Sequence, residues 1–384
     1  MPTPPGIDPV QLLADLIRQP SVTPELHGAF DVLEAALIPL GFTCQRVRFE
    51  GDGSYPVDNL FATRGNGGRH LLFAGHTDVV PPGDVAAWTH PPFAAEIVDG
   101  TIYGRGAADM KSGIAAFVAA ISRINPNGTI SLAITNDEEA DSVNGTDKLM
   151  AWARAQGHSF DFAIVGEPSA TARVGDSIKI GRRGSLNGQI RVTGTQGHVA
   201  YPDRANNPLP VAAALVLALS GKIDDGTDHF PPSNLEFTSI DVGNATTNVI
   251  PASALLRFNV RYNDRWTPET LADAVNDVIG TEDLRGTQVE FTVVGRPSRS
   301  FLSPLGGGVE TLVETIARRT GIPPELSTGG GTSDARFIAE YCPVVECGLP
   351  GPTMHKVDEN VRVSDVEELT ALYATFIADY LGTK

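Results

Sequence analysis

Short apolar segments alternate with segments of helical periodicity between residues 70 and 165, and this alternation limits the possible folds more than any other feature. The apolar segments lie at 70–74, 129–135 and 161–165. Between them, at 113–124 and 145–155, the apolar residues recur with helical spacing. An uninterrupted apolar strand is typical of a parallel sheet that helices cover on both faces. The sequence therefore predicts an α/β fold.

The order of the elements changes after about residue 181, which indicates an inserted domain. The next elements follow the order βαββαβ, at 185–192, 208–219, 234–242, 254–262, 268–279 and 288–294. This order is typical of a ferredoxin-like α+β domain. The α/β pattern then returns, with elements at 308–320, 344–346 and 365–381. We predict a catalytic domain with a mixed, mostly parallel sheet at 1–181 and 296–384, interrupted by an insertion at 182–295.

The net charge and the cysteine content narrow the possible partners and cofactors. A formal charge of −17 creates a field that repels phosphate groups, so we expect neither a nucleic acid nor a membrane as partner. The 3 cysteines form neither a disulfide framework nor a paired CxxC zinc motif, so any metal must be held by His and carboxylate side chains. The N-terminal segment lacks a basic region followed by a long apolar core, and we expect a cytoplasmic protein.

Ionisable residues follow the predicted strands of the α/β sheet, where open sheets gather their ligands. The segments are GHTD at 75–78, AADMK at 107–111, NDEE at 136–139, GEP at 166–168 and PTMH at 352–355. Alone, Asp109 could be an ordinary helix cap, and Glu138 with Glu139 could be solvated loop charges. Their joint occurrence favours a site in which His and carboxylate side chains hold two divalent ions.

Two glycine runs leave a competing interpretation open, that of a nucleotide-binding or non-catalytic protein. They are Gly65-Asn66-Gly67-Gly68 and Gly329-Gly330-Gly331-Thr332. Neither run matches GxxxxGK[ST] or GxGxxG between a strand and a helix. The sequence therefore favours the metal site over a phosphate loop.

Five ordered blocks carry a resemblance to a known family. They read GHTDVVPPGD, IYGRGAADMKSG, ITNDEEADSVNGT, VGEPS and MHKVDE. The chain resembles the M20 co-catalytic zinc peptidase family from about Ile17 to its C-terminus. Four further blocks, RQPSVTPE, KIGRRGSLNG, TTNVIP and STGGGTSDARFI, are most similar to the branch that hydrolyses N-succinyl-LL-2,6-diaminopimelate to succinate and LL-2,6-diaminopimelate. Another M20 amidohydrolase, such as an acetylornithine deacetylase or a carboxypeptidase, is the alternative.

Carried over position by position, the resemblance implies two Zn²⁺ ions per subunit, for which Co²⁺ can substitute. Asp109 is implied to bridge the two ions. His76 and Glu167 are implied to hold one ion, and Glu139 and His355 the other. The resemblance also implies a cis peptide bond after Asp109.

The resemblance assigns further roles around these ligands. Glu138 matches the general acid/base of the family, and Asp78 is implied to hydrogen-bond the His76 imidazole and fix its tautomer. His198, in the insertion, is implied to stabilise the oxyanion. Related enzymes dimerise through this domain, so we expect a homodimer in which each active site uses His198 of the partner subunit.

The implied substrate is a small dicarboxylate amide, which an acidic protein must capture with local positive charge. Arginine suits this task because it binds carboxylates in a bidentate manner. The recognition candidates are Arg182, Arg183, Ser185, Asn248, Arg261, Gly331 and Thr332. An open alternative is that one of the adjacent pair Arg182 and Arg183 is only a solvated charge. The chain departs from its relatives at Gly351, where they carry Asn near the substrate.

Overall fold

The computed structural model describes residues 6–65 and 67–383, so Asn66 of the first glycine run and the start of the N-terminal segment lie outside the described residues. The described chain divides into two compact units. The first unit comprises the residues up to Ile180, together with Ser303–Ser327 and those from Ser333 onward. The second unit comprises Gly181–Leu302 and Thr328–Thr332.

Helices and strands alternate along three successive stretches of the chain. Residues up to 180 contain α1 (Pro9–Ile17), α2 (Ala29–Leu37), β1 (Thr43–Gly51), β2 (Ser54–Arg64), β3 (His70–His76), β4 (Ile97–Val98), β5 (Thr101–Tyr103), α3 (Ser112–Ser122), β6 (Thr129–Thr135), α4 (Thr146–Ala155), β7 (Phe162–Val165) and β8 (Ser177–Lys179). Residues 181–302 contain β9 (Gly181–Arg182), β10 (Gly184–Thr193), β11 (Gly197–His198), α5 (Leu209–Leu219), β12 (Gly221–Lys222), β13 (Asn234–Asp241), β14 (Val249–Ile250), β15 (Ser253–Tyr262), α6 (Pro268–Thr281), β16 (Gln288–Ser298) and β17 (Phe301–Leu302). The remainder contains α7 (Gly308–Thr320), β18 (Glu325–Ser327), α8 (Ala335–Ile338), β19 (Val344–Glu346), β20 (Asn360–Arg362) and α9 (Val363–Leu381).

The main sheet of the first unit has the strand order β1-β2-β6-β3-β7-β19-β8-β18. Its central pairs, from β6 through β3 and β7 to β19, are parallel. Every residue of β6 and β7 is buried, because helices cover both faces of these strands. The predicted α/β fold with a mixed, mostly parallel sheet is confirmed.

The edge of this sheet carries a hairpin that was not predicted from the sequence. Strands β1 and β2 are antiparallel, and β2 also pairs antiparallel with β6. The chain reverses at Gly51, Asp52 and Gly53, which all have positive φ. Strand β1 is exposed or half-buried along its whole length, so it lacks the apolar run that marked the central strands.

The helices of the first unit pack through apolar faces. Helix α1 begins after Asp8, whose carboxylate accepts hydrogen bonds from the amides of Val10 and Gln11. Helix α3 is buried along its whole length and packs against α1 and α9. None of the helices in the described part of the chain is long and apolar enough to cross a membrane.

The second unit contains an antiparallel sheet of strand order β12-β13-β15-β10-β16. Strands β10 and β15 alternate buried and less buried residues, and the buried ones pack with α5 and α6 into a separate hydrophobic core. The unit continues beyond the predicted boundary at residue 295, since β16 runs to Ser298 and β17 pairs with β9.

Candidate metal centre

Three of the predicted ligands stand at the carboxyl ends of neighbouring strands in the main sheet. His76 is the last residue of β3, Glu139 follows β6, and Glu167 follows β7. Because these strands are parallel neighbours, their carboxyl ends lie at one edge of the sheet. Asp109 lies in the tight turn before α3, and His355 lies in the loop before β20. The fold brings all five side chains together.

Asp109 lies between the two imidazoles and presents a different carboxylate oxygen to each. Its Oδ1 is 3.2 Å from Nε2 of His76, and its Oδ2 is 3.2 Å from Nε2 of His355. The same nitrogen of His76 is 3.6 Å from Oε1 of Glu167, and that of His355 is 3.0 Å from Oε1 of Glu139. The ligands therefore form two half-sites that share Asp109.

The hydrogen bond of His76 fixes which ring nitrogen faces the carboxylates. Nδ1 lies 2.9 Å from the main-chain oxygen of Asp78. A carbonyl oxygen can only accept, so Nδ1 carries a hydrogen, and in the neutral imidazole the Nε2 lone pair is then available to a cation. The predicted hydrogen bond between Asp78 and this imidazole is thus made by the main-chain oxygen of Asp78 and not by its carboxylate. Its nearer carboxylate oxygen is 3.6 Å from Nδ1, because the carboxylate turns toward other donors.

The Asp78 carboxylate accepts hydrogen bonds from the segment that carries the two adjacent glutamates. Its Oδ2 is 3.1 Å from the amide nitrogen of Glu138 and 3.0 Å from that of Glu139. The Thr23 hydroxyl donates to the same oxygen over 2.7 Å. Asp78 is fully buried, so these bonds hold the backbone of both glutamates beside the half-sites.

Attraction between opposite charges shifts the pKa values of His76, Asp109 and His355. Hydrogen bonds to Asp109 and Glu139 raise the pKa of His355 to about 10. Burial opposes the charged form of His76, but the Asp109 hydrogen bond and the Glu167 charge raise its pKa well above the usual value. Burial alone would raise the pKa of Asp109, yet the hydrogen bonds from both imidazoles lower it. Cationic partners therefore stabilise the Asp109 carboxylate.

The pKa values of two further carboxyl groups are raised, which favours their neutral forms. Burial, followed by repulsion from Asp109, raises the pKa of Glu167 well above its usual value. Burial also raises the pKa of Glu138, and the charges of Asp334 and Glu139 add to this effect. This excess of buried negative charge requires compensation by cations.

The donor set fits divalent metal ions. Ligand atoms of His76, Asp109 and Glu139 lie within 4.8 Å of one another, and so do those of His76, Glu138 and Glu167. Neutral imidazole nitrogen and carboxylate oxygen are the ligands that zinc and other first-row ions accept. The peptide bond between Asp109 and Met110 is cis, as the resemblance implied.

Several charged residues that were not predicted from the sequence are buried near the ligands. Glu359 accepts hydrogen bonds from the amides of Ala108 and Asp109 and pairs with Arg105. It directly follows Asp358 at the end of the MHKVDE block, so its position in a motif was the available signal. Lys111 is fully buried, which lowers its pKa to about 7, and its Nζ donates to the Gln19 carbonyl over 2.9 Å.

Asp334 is another missed residue, and it stands in the STGGGTSDARFI block. It is 4% exposed, and its Oδ2 accepts a 2.6 Å hydrogen bond from the Thr146 hydroxyl. Its Oδ1 has no hydrogen-bond partner among the described residues. Burial raises the pKa of Asp334 to about 6. The negative charge of Asp334 also raises the pKa of Glu138, so Asp334 contributes to the electrostatics of the site.

The predicted recognition residues all lie in the second unit. Arg182 is buried, and its Nη1 donates to the carbonyl oxygens of Gly329 and Gly331 over 3.2 and 2.8 Å. Arg183 is half-buried, and its Nη1 donates to the Pro232 carbonyl over 3.1 Å and to Oδ1 of Asn234 over 3.0 Å. Arg182 is therefore not a solvated surface charge, and that alternative stays open only for Arg183.

The remaining predicted residues of the second unit occupy four places. Ser185 and Arg261 are directly opposite each other on β10 and β15, and Thr332 follows the second glycine run. Asn248 is exposed just before β14. His198 is exposed at the end of β11, and its Nδ1 accepts a 3.1 Å hydrogen bond from the Ala200 amide. The neutral imidazole therefore carries its hydrogen on Nε2, which can donate.

Gly351, which stands where the resemblance led us to expect an Asn, has surroundings that favour a small residue. A Cβ atom at this position would lie 2.9 Å from Cβ of Pro168, the residue after Glu167. A larger side chain therefore needs a shift of one of the two loops. The close approach explains why glycine suits this chain, and it leaves the ligands unaffected.

Comparison with known proteins places the chain in the family that the motif blocks resemble. The sequence model of peptidase family M20/M25/M40 matches residues 72–379. The chain is 52% identical to the succinyl-diaminopimelate desuccinylase of Rhodopseudomonas palustris (strain BisA53), over 98% of this chain and 99% of that protein. It is also 52% identical to the succinyl-diaminopimelate desuccinylase of Rhodospirillum centenum (strain ATCC 51521 / SW), over 96% of each.

Among solved structures, the fold is similar to that of the M20 family metallo-carboxypeptidase Sso-CP2 from Sulfolobus solfataricus. The TM-score is 0.77 at 17% identity, over 97% of this chain and 99% of that one. These matches confirm the family resemblance that the five motif blocks predicted. The chain belongs to peptidase family M20/M25/M40.

Proposed function

We propose that the chain hydrolyses the succinyl amide of N-succinyl-LL-2,6-diaminopimelate, releasing succinate and LL-2,6-diaminopimelate. The observation that carries this proposal is the 52% identity to succinyl-diaminopimelate desuccinylases over nearly the whole chain. The two half-sites that share Asp109 support it, because amide hydrolysis needs both an activated water and a polarised carbonyl.

Two zinc ions are the proposed cofactors of each subunit. Asp109 is assigned to both ions, with His76 and Glu167 holding one, and Glu139 and His355 holding the other. The contacts of 3.0 to 3.6 Å among these side chains support the grouping. As Lewis acids, the ions would polarise the scissile carbonyl and make water acidic enough to ionise near neutral pH.

Glu138 is the proposed general acid/base. It would take a proton from the attacking water as oxygen adds to the amide carbon, and then give that proton to the nitrogen as the C–N bond breaks. Its amide is fixed by Asp78, and its main-chain oxygen accepts a 2.9 Å hydrogen bond from the Ser142 hydroxyl. These contacts hold the main chain of Glu138 in place, and its carboxylate lies within 4.8 Å of ligand atoms of His76 and Glu167, which supports a position beside the ions.

A homodimer formed through the second unit is the proposed assembly, in which His198 of the partner subunit donates to the oxyanion. The Nε2–H tautomer of His198 supports this role. Helix α5 is apolar on all sides, and its Leu217 is 82% exposed, which favours a second copy of this chain as the cover of that helix.

The arginines of the second unit are the proposed recognition groups for the substrate carboxylates. Arg182, held by two carbonyls of the glycine run, is pre-oriented, which limits the entropy lost on binding. Ser185 and Arg261, paired across two strands, present a hydroxyl and a guanidinium side by side. The proposed set is completed by Asn248, Arg183, Gly331 and Thr332.

We also propose a cytoplasmic location, which the free thiols of the three cysteines support.

A kinetic comparison at defined zinc loading tests the proposed substrate. We predict that kcat/KM for N-succinyl-LL-2,6-diaminopimelate exceeds that for N-acetylornithine by at least about 10²-fold, because the acetyl group lacks the succinyl carboxylate that the proposed arginines would bind. A dipeptide serves as the third substrate, because a carboxypeptidase of this family would hydrolyse its peptide bond. A preference for N-acetylornithine or for the dipeptide would assign the chain to another branch of the family.

A further inference from the structure

A buried ion pair that the proposed mechanism does not use lies next to the backbone of Asp109. Arg105 is 3% exposed, Glu359 is 0% exposed, and Nη1 of the arginine is 2.6 Å from Oε2 of the glutamate. A buried pair is costly unless its other donors and acceptors are also satisfied. Nε of Arg105 has no hydrogen-bond partner among the described residues, whereas the other groups of the pair do, and those partners indicate what the pair does.

The second carboxylate oxygen of Glu359 binds the main chain that carries the shared ligand. Its Oε1 accepts hydrogen bonds from the amides of Ala108 and Asp109, over 2.8 and 3.2 Å. The main-chain oxygen of Glu359 also accepts a 2.8 Å hydrogen bond from the Gly104 amide. Glu359 therefore holds the turn from which the Asp109 side chain reaches both imidazoles.

The guanidinium of Arg105 reaches the loops that carry the two histidines. Its Nη1 donates to the carbonyl of Lys356, the residue after His355, over 3.2 Å. Its Nη2 donates over 3.4 Å to the carbonyl of Pro81, in the loop that follows His76. Trp88 covers the group, with its ring centroid 5.2 Å from Cζ. One planar fork thus contacts both histidine loops.

We propose that Arg105 and Glu359 are positioning residues that set the spacing of Asp109 relative to His76 and His355, and that metal affinity depends on this pair. The inference rests on the proposed metal centre. Groups that orient metal ligands without touching the metal typically change affinity by about 10- to 100-fold when they are mutated. The pair contacts the loops of both half-sites, so its loss affects the binding of both ions.

Two variants separate the positioning role from a purely structural one. Glu359→Gln keeps an oxygen that can accept from the two amides but removes the charge that orients the guanidinium. Arg105→Lys keeps the positive charge, but a single ammonium cannot reproduce the fork that reaches Glu359, Lys356 and Pro81 together. Zn²⁺ affinity of each metal-free protein is measured by competition with a chromophoric chelator, and Co²⁺ absorption spectra report the ligand geometry.

The proposal predicts a loss of at least about 10-fold in Zn²⁺ affinity and an altered Co²⁺ spectrum for both variants, while unfolding in the presence of chelator stays cooperative. Asp379→Asn is the matched control, because Asp379 pairs with Arg318 and Thr315 on α7 and contacts no ligand. That control should bind Zn²⁺ as wild type does.

Two results would overturn parts of the account in distinguishable ways. If wild type binds no ion, the proposed metal centre itself is wrong. If wild type binds two ions and Arg105→Lys binds them with affinity within about twofold of wild type, only the positioning role is rejected. The lysine variant decides the question even if Glu359→Gln does not fold, because it leaves no buried carboxylate without a nearby cation.

Discussion

The amide nitrogen of Glu138 lies 3.1 Å from carboxylate Oδ2 of Asp78. The residue assigned as the proton carrier is therefore anchored by its main chain, and its side chain stays available to the substrate. The anchor stands just after β3, the strand that ends in the ligand His76. One buried carboxylate in this way fixes the base relative to the metal ligands.

The first prediction concerns this anchor. Asp78→Asn should lower kcat and metal affinity by about 10- to 100-fold, because the amide cannot present a charged acceptor to the two backbone donors. Thr23→Val, the matched variant, removes one donor and leaves the carboxylate bound to both amides. It should lose only about 1 kcal/mol of stability. Wild-type kcat and Zn²⁺ affinity in Asp78→Asn would contradict the anchoring role.

Metal removal gives the second prediction. Prolonged chelation should abolish amide hydrolysis, and added Zn²⁺ or Co²⁺ should restore it, because His and carboxylate ligands accept several first-row ions. Metal content is measured alongside activity, so that each preparation has a known stoichiometry. Full activity in protein shown to be metal-free would refute the account.

The third prediction tests whether the partner subunit supplies His198. His198→Ala and Glu138→Ala chains, each nearly inactive, are mixed and allowed to exchange subunits. A mixed dimer carries both defects in one site and none in the other, so with half of the dimers mixed, activity should return to about a quarter of wild type. If His198 served its own chain, every site would keep one defect. No recovery despite verified exchange would reject the shared site.

Asp334 gives a prediction for pH dependence. Burial raises its pKa from 3.8 to about 6, so the folded state favours the protonated form. The stabilisation is fully present below the pKa of the unfolded chain and is lost as the pH rises through about 6. A shift of this size corresponds to about 3 kcal/mol.

Urea unfolding of the metal-free protein, with Asp334→Asn as the reference, measures this effect. The stability of wild type relative to the variant should fall by about 2 kcal/mol between about pH 4 and about pH 7. The neutral amide cannot titrate, so the comparison reports the titration of Asp334 together with the effect of its charge on Glu138. The same difference at both pH values would show that Asp334 keeps an ordinary pKa.

Much of the fold could be predicted because its strands are apolar on both faces. The segments around β3, β6 and β7 are continuous apolar runs, and helices follow two of them, which only a covered parallel sheet explains. Strand β1 was missed for the opposite reason, since it lies at an exposed edge and mixes polar with apolar residues. The short strands β8 and β18 likewise carry too few residues for a periodic signal.

The five candidate ligands could be named from the sequence because they belong to ordered motif blocks, whereas their supporting contacts could not. Nothing in the spacing of GHTD shows that the main-chain oxygen of Asp78, and not its carboxylate, faces His76. Likewise, the Arg105–Glu359 pair joins residues far apart in the chain, and only the folded structure shows that it meets the Asp109 turn. Long-range hydrogen bonds of this kind leave no local pattern in a sequence.

The adjacent glutamates test the central claim, because they are chemically alike but have different assigned roles. Glu138→Gln should keep two metal ions and lose at least about 10²-fold in kcat, since the amide cannot carry the proton. Glu139→Gln should instead lose metal affinity, because its carboxylate lies 3.0 Å from the ligand nitrogen of His355. Metal content and kcat, measured together on both variants, decide the matter. Near-normal turnover in Glu138→Gln with both ions bound would contradict the account.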